Sequence, residues 1–310
     1  MIKSHFFPRS RRLAIALGTV SALALSACGG SNSVVTKSSD AYTVEGKSVS
    51  KKEFNGIVNE LVKAGQFKTT NGKVAQADIT QMLNIMIRDT AFDGFANSMG
   101  IKITDAMRKE IAAGTAKDAQ FSSIPKNVQD LIISLNEESL AMKALKAPSA
   151  DKLEELYNSA PVKTGTLCLS HILLKTKAQA DKVLKELDGG ASFAKVAEAK
   201  SIDPSAKGAG GALKDGKEDC SLLTSLQQSF DKDFLAGAIS AKAGVPTGPV
   251  KSQFGYHIIL SHEFKDVKDS VASVIKEDPA SALMAGYIAT AKISVNSMYG
   301  KWNSVTSTIE

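Results

Sequence analysis

Acidic residues are missing from the first 27 positions, and no apolar run in the chain approaches the ~20 residues needed to cross a bilayer. The longest, residues 13–25 (LAIALGTVSALAL), is a run of 13 that follows Lys3, Arg9, Arg11 and Arg12. A positive stretch, a short apolar one and then small residues make an export signal, not a membrane span. Cysteine is scarce as well, confined to Cys28, Cys168 and Cys220. Residues 40–160 contain no His, no Cys and no acidic cluster at metal-ligand spacing, so nothing there asks for chemistry. A repeated doubly wound strand–helix pattern is absent too, which argues against a solute-binding protein.

Removing the first 27 residues takes away four cations and lowers the formal charge from +6 to +2, so the basic balance belongs mostly to the leader. That argues against nucleic acid as a partner. After the apolar run come Leu25, Ser26, Ala27 and Cys28, which resemble a bacterial lipobox, and then a Gly- and Ser-rich stretch ending at Ser39 (GGSNSVVTKSS). The resemblance implies a signal peptide over 1–27, lipid on Cys28, a flexible tether over 28–39, and an exported protein anchored to a membrane on its extracytoplasmic side. With Cys28 so committed, Cys168 and Cys220 remain as an even pair in an oxidising compartment, either bridged or buried as free thiols.

A short strand at 42–44, a turn at Glu45 and Gly46, and a capping box at Ser50 and Glu53 open a helix through about Lys63. Ile79, Leu83, Met86, Ile87, Phe92 and Phe95 recur at helical spacing, as do Val128, Leu131, Ile132, Leu135, Leu140 and Leu145, and Thr104 with Asp105 caps a helix between them. Pro148 and Ser149 start another helix (ADKLEELYNS) that ends before Pro161. This part therefore reads as all helix apart from one strand. Its Met and Leu stripes are those of a core, or of an open groove that repacks around unfolded segments.

From residue 162 the pattern changes to strand, helix (177–187), helix (192–200), a Gly-rich loop, a helix near 231–239, and strands near Pro249 and over 256–261, which fits a small α+β domain. Two stretches stand out, residues 167–175 (LCLSHILLK) and 254–262 (FGYHIILSH). Each reads as an apolar strand with one His at its entry, His171 and His257, and together they suggest one shared site at a sheet edge. Between them Ser201, Ile202, Asp203 and Pro204, then Gly208, Gly210 and Gly211, read as exposed backbone.

Residues 171–213 (HILLKTKAQADKVLKELDGGASFAKVAEAKSIDPSAKGAGGAL) and 230–260 (FDKDFLAGAISAKAGVPTGPVKSQFGYHIIL) resemble the parvulin family of peptidyl-prolyl isomerases. The opening TVEGKSVSKKEF, the lipobox and the closing ISVNSMYGKWN make the whole chain resemble exported foldases of the SurA and PrsA type. The fold this implies is α+β. A parvulin domain at 162–264, an antiparallel sheet with surrounding helices, is joined to a mostly helical SurA-like chaperone domain at 40–161, to which residues 265–310 return as a helix and a strand. The function it implies is peptidyl-prolyl cis-trans isomerisation, without cofactor or metal, on unfolded or partly folded exported polypeptides that contain X-Pro bonds. A second reading stays open, a holdase whose parvulin domain binds Pro-containing segments with little turnover.

The same resemblance makes His171 and His257 the paired imidazoles at the floor of the site, puts Asp203 where the family has Cys or Asp, and makes Ser252 the hydroxyl that orients the histidines. Leu213, Leu226, Phe230 and Phe234 fall on or near its proline pocket, with Phe254 at the rim. Isomerisation breaks no covalent bond and must only overcome a barrier of ~18–20 kcal/mol from amide resonance. It needs an apolar pocket, a dry setting and polar groups that favour the twisted amide, and a hydrogen-bonding or electrostatic role for Asp203 fits that need. The chain departs from the family where Gly210 and Gly211 continue as Ala212, Leu213 and Lys214 instead of Asp-Leu-Gly. A bridge from Cys168 to Cys220 would pin that loop to the first strand. The loop after that strand (KTKAQA) has no Arg cluster, so a preference for phosphoserine is not expected.

Overall fold

Residues 39–118 and 120–310 are described in a computed structural model, so the leader, Cys28 and all of the 28–39 tether except Ser39 lie outside the described residues. The chain begins with β1 (Asp40–Val44), β2 (Lys47–Ser50), α1 (Lys51–Lys63), a ribbon of β3 (Thr69–Thr70) and β4 (Lys73–Val74), and α2 (Gln76–Met99). Helices α3 (Asp105–Thr115), α4 (Lys126–Ala144) and α5 (Ala150–Ser159) follow. This region has four strands where periodicity predicts one, because β2 to β4 are short and polar and carry no apolar alternation. Ser50 accepts the Glu53 N–H at 3.1 Å and caps α1, but the return bond of a full capping box is not made.

The next run is β5 (Thr166–Leu167), β6 (Leu169–Leu174), α6 (Lys177–Asp188), α7 (Phe193–Lys200), the one-turn α8 (Pro204–Lys207), β7 (Ala212–Leu213), β8 (Ser221–Leu222), α9 (Leu223–Ser229) and α10 (Lys232–Ser240). Then come β9 (Thr247–Ser252), β10 (Gly255–Ser261), α11 (Phe264–Lys276), α12 (Pro279–Thr290), β11 (Ile293–Val295) and a terminal hairpin of β12 (Trp302–Asn303) and β13 (Thr308–Ile309). The fold class is α+β.

Two antiparallel sheets organise these elements. In the first, ordered β11-β1-β2, the earliest strand pairs with one of the last, Tyr42 opposite Val295. Its core gathers Tyr42, Phe54, Leu83, Ile87 and Phe95 with Leu283 and Met284 of α12 and Ile309 of β13. The second, ordered β7-β6-β10-β9, puts the two His-bearing strands at its centre, with Ile259 opposite His171 and His257 opposite Leu173. Both histidines thus lie inside central strands, not at strand entries on a sheet edge. Alternation along β6 and β10 sends Ile172, Leu174 and Ile258 toward α6 and α7, and leaves Leu169, His171, His257 and Ile259 on the face covered by α9 and α10.

A third cluster holds Leu153 and Tyr157 of α5, Val267 and Val271 of α11, and the disulfide-bonded pair Cys168 and Cys220. Helix α12 also lies against the turn over 161–164. A side chain on Gly286 would come within 2.4 Å of the Val162 carbonyl, so only glycine allows that approach.

Candidate functional site

His171 and His257 are both buried, and their Nδ1 atoms stand 3.2 Å apart with the ring planes 16° from parallel. The antiparallel register produces this, since each side chain projects from the same face of neighbouring strands. On the far side of His257, the Ser252 Oγ lies 2.7 Å from Nε2 and also accepts the Phe254 N–H at 3.1 Å. On the far side of His171, Nε2 is 2.9 Å from the Asp203 Oδ2, at an angle short of hydrogen-bond alignment, so that contact is first electrostatic.

Burial pushes the His171 imidazole below its usual range, against the opposing pull of Asp203. Burial, and then the neighbouring His171, bring His257 down to about 4. Partial burial works to raise the Asp203 carboxyl, but the Ser205 hydroxyl and N–H, with His171, hold it below the ordinary carboxylate value. Near neutral pH the site therefore contains two neutral imidazoles and one carboxylate. The carboxylate favours the His171 proton on Nε2, which leaves its Nδ1 as acceptor. His257 must then donate from Nδ1 and accept from the Ser252 hydroxyl at Nε2. One direction of donation runs from Ser252 to His171, whose Nε2–H faces the Asp203 carboxylate.

Phe234 closes the floor from α10, edge-on to His171 at 5.8 Å and to His257 at 5.0 Å between ring centres, with Phe230 5.5 Å beyond it. Leu226 and Phe234 are buried in the same apolar cluster, against which Leu213 and Phe230 pack half-buried. Phe254 is not among them and stands 64% exposed on the turn between β9 and β10. The third described histidine, His262, lies outside the pair, with Nε2 2.9 Å from the Ser170 Oγ and its N–H on the Cys168 carbonyl.

The loop over 201–211 is not simply exposed backbone. Ser201 is buried, and its Oγ accepts the N–H groups of Leu173 and Asp203 at 3.2 and 3.3 Å, tying the Asp203 loop to β6. Gly211 has φ +90°, its carbonyl accepts the His171 N–H at 2.8 Å, and a Cβ there would lie 2.8 Å from the His171 carbonyl. Ser205 holds the Asp203 Oδ1 through its N–H at 2.9 Å and its hydroxyl at 2.7 Å. Periodicity passes over Ser201 and Ser205, but the order Asp-Pro-Ser is itself a signal, an N-cap followed by proline at the first helical position.

Residues 171–263 match the PPIC-type PPIASE domain, a rotamase family, so the class defined by fold and site is that of proteins with a parvulin-type domain. More particularly, the chain is PrsA-like. It is 36% identical over 146 residues to Foldase protein PrsA of Clostridium kluyveri, covering 43% of this chain and 41% of that protein. It is 33% identical over 170 residues to Foldase protein PrsA of Clostridium botulinum (strain 657 / Type Ba4), covering 53% and 48%. The chain thus spans less than half the length of these curated relatives. Among solved structures, PrsA from Bacillus subtilis is 22% identical with a TM-score of 0.30, covering 77% of this chain and 86% of that one. A SurA-like chaperone of Campylobacter jejuni is 22% identical with a TM-score of 0.27, covering 78% and 92%. Superpositions this loose place no residue.

Proposed function

We propose that this chain is a peptidyl-prolyl cis-trans isomerase and folding helper for exported polypeptides, held at a membrane by lipid on Cys28. The observation that carries the reading is the pair of neutral imidazoles joined through Nδ1 and faced by the Phe234 ring. A proline ring bound against Leu213, Leu226, Phe230 and Phe234 places its amide over the histidines. The shielded floor favours the twisted, less polar amide over the planar one. Asp203 and Ser252 hold the two rings in fixed tautomers and take no covalent part. Phe254, standing in solvent at the rim, is free to turn onto a bound chain. Clients are unfolded segments that contain X-Pro bonds, and residues 40–161 offer them a second, chaperone-like surface.

The test is exchange between cis and trans forms of an X-Pro peptide, followed by NMR with residues 29–310 and with His257→Ala and Asp203→Ala. Acceleration that both substitutions reduce, His257→Ala by about 10²-fold, supports the isomerase. No acceleration, together with suppressed aggregation of an unfolded client, replaces it with the holdase reading. Labelled fatty acid that Cys28→Ser fails to incorporate supports the anchor, and equal labelling of both forms removes it.

A further inference from the structure

The terminal hairpin belongs to one core and touches another. At its base Ile309 is buried in the first core with Trp302 packed beside it, and the backbones of Lys301 and Glu310 close the ends with bonds of 2.8 and 2.9 Å. At its tip the Asn303 side chain accepts the Val305 and Thr306 N–H groups at 2.9 and 3.4 Å, which fixes the turn. The Val305 side chain then packs, as Phe230 does, against the cluster that contains Leu226 and Phe234.

Polar contacts reinforce the apolar one. The Gln227 Nε2 donates to the Val305 carbonyl at 2.6 Å and reaches the Ser307 hydroxyl at 3.4 Å. Lys232, first residue of α10, pairs with the Glu310 carboxylate. Gln227 follows Leu226 on α9, and Lys232 lies two residues before Phe234. Each of the two helices that supply the expected proline pocket is therefore tied to a segment rooted elsewhere.

We infer that Val305, Gln227 and Lys232 are positioning residues for the proline pocket, with the hairpin fixing α9 and α10 against the histidines. The inference rests on the isomerase reading and deepens it. A pocket wall already held in place costs less order when a proline ring binds, so loosening the clasp weakens substrate binding more than it slows the bound substrate.

The experiment uses residues 29–310 with Val305→Ala, Gln227→Ala, the double variant, and the conservative Val305→Ile. Isomerase kinetics and amide hydrogen exchange over residues 223–239 are both measured. In the double variant KM is expected to rise about three- to tenfold, the loss of roughly one hydrogen bond and its packing, with kcat changed less than about twofold. Exchange over 223–239 quickens, and Val305→Ile stays close to the parent. Unchanged KM and unchanged exchange in the double variant overturn the inference, as does a fall in kcat with KM unmoved. Should the parent show no turnover, the isomerase reading fails separately, and exchange alone decides the clasp: faster supports it, unchanged overturns it.

Discussion

The two sheets follow one plan and bury opposite kinds of group. In β11-β1-β2 the largest buried polar residue is Tyr42, whose hydroxyl donates to the Met86 carbonyl at 3.0 Å and meets the Thr90 Oγ1 at 2.8 Å. Those partners sit on one turn of α2, and the bond ends there. In β6-β10 the buried polar residues include two histidines, and their partners form a line that leads out to the half-buried Asp203. A buried polar group whose partners are all local serves packing, whereas a line of groups open at one end to solvent can answer to a substrate.

Several measurements sharpen or break this contrast. The largest effect is expected from the disulfide, which closes 52 residues around the second sheet and has no counterpart among the described residues of the first. Replacing Cys168 and Cys220 by alanine should cost about 4 kcal/mol by chain entropy, and hydrogen exchange should quicken over β5 to β10 more than over α1 and α2. Alkylation should add to the mass of the unfolded chain over residues 29–310, which leaves out Cys28, only after a reductant is present. If thiols react without one, the bridge is absent.

Acid comes next. Both imidazoles sit below their ordinary value, so as pH falls the unfolded chain takes protons before the folded one. The His257 contribution is complete above about 6.5 and is lost as pH falls toward 4, on the order of a few kcal/mol, and His171 acts in the same direction. Asp89 and Glu138 in the helical part work the other way. Burial raises both carboxyls, so their protonation relieves a cost as pH falls. Urea unfolding between pH 7 and 4 should therefore lose less stability in His257→Phe and more in Asp89→Asn with Glu138→Gln. Parallel curves for all three chains would end the contrast.

The smallest effect comes from deleting one hydroxyl in each sheet. Tyr42→Phe should lower stability by about 1 kcal/mol and leave kcat/KM alone, while Ser252→Ala should lower kcat/KM several-fold with less change in stability. Equal behaviour in the two variants would mean that Ser252 too is only packing.

Much of this was legible in the chain. The spacing of Leu83, Ile87 and Phe95 locates a helix, and Thr104 and Ser149 mark helix starts, because caps and apolar periods act within a few residues. The short polar strands β2 to β4 were not legible, since their pairing partners and not their side chains decide them. Among site residues, His171, His257 and Asp203 carry chemistry that a motif can point to, but Ser201 and Ser205 hold Asp203 through bonds that only a folded loop supplies.

By itself the sequence determined the long helices, the two His-bearing strands, and which residue types stand ready for chemistry, because those depend on composition, caps and short-range period. Tertiary structure alone decided that the histidines sit in central strands with Nδ1 facing Nδ1, that burial holds both neutral, and that Val305 reaches the helices behind them. These depend on register between strands 86 residues apart and on the exclusion of water, which no local stretch of chain contains.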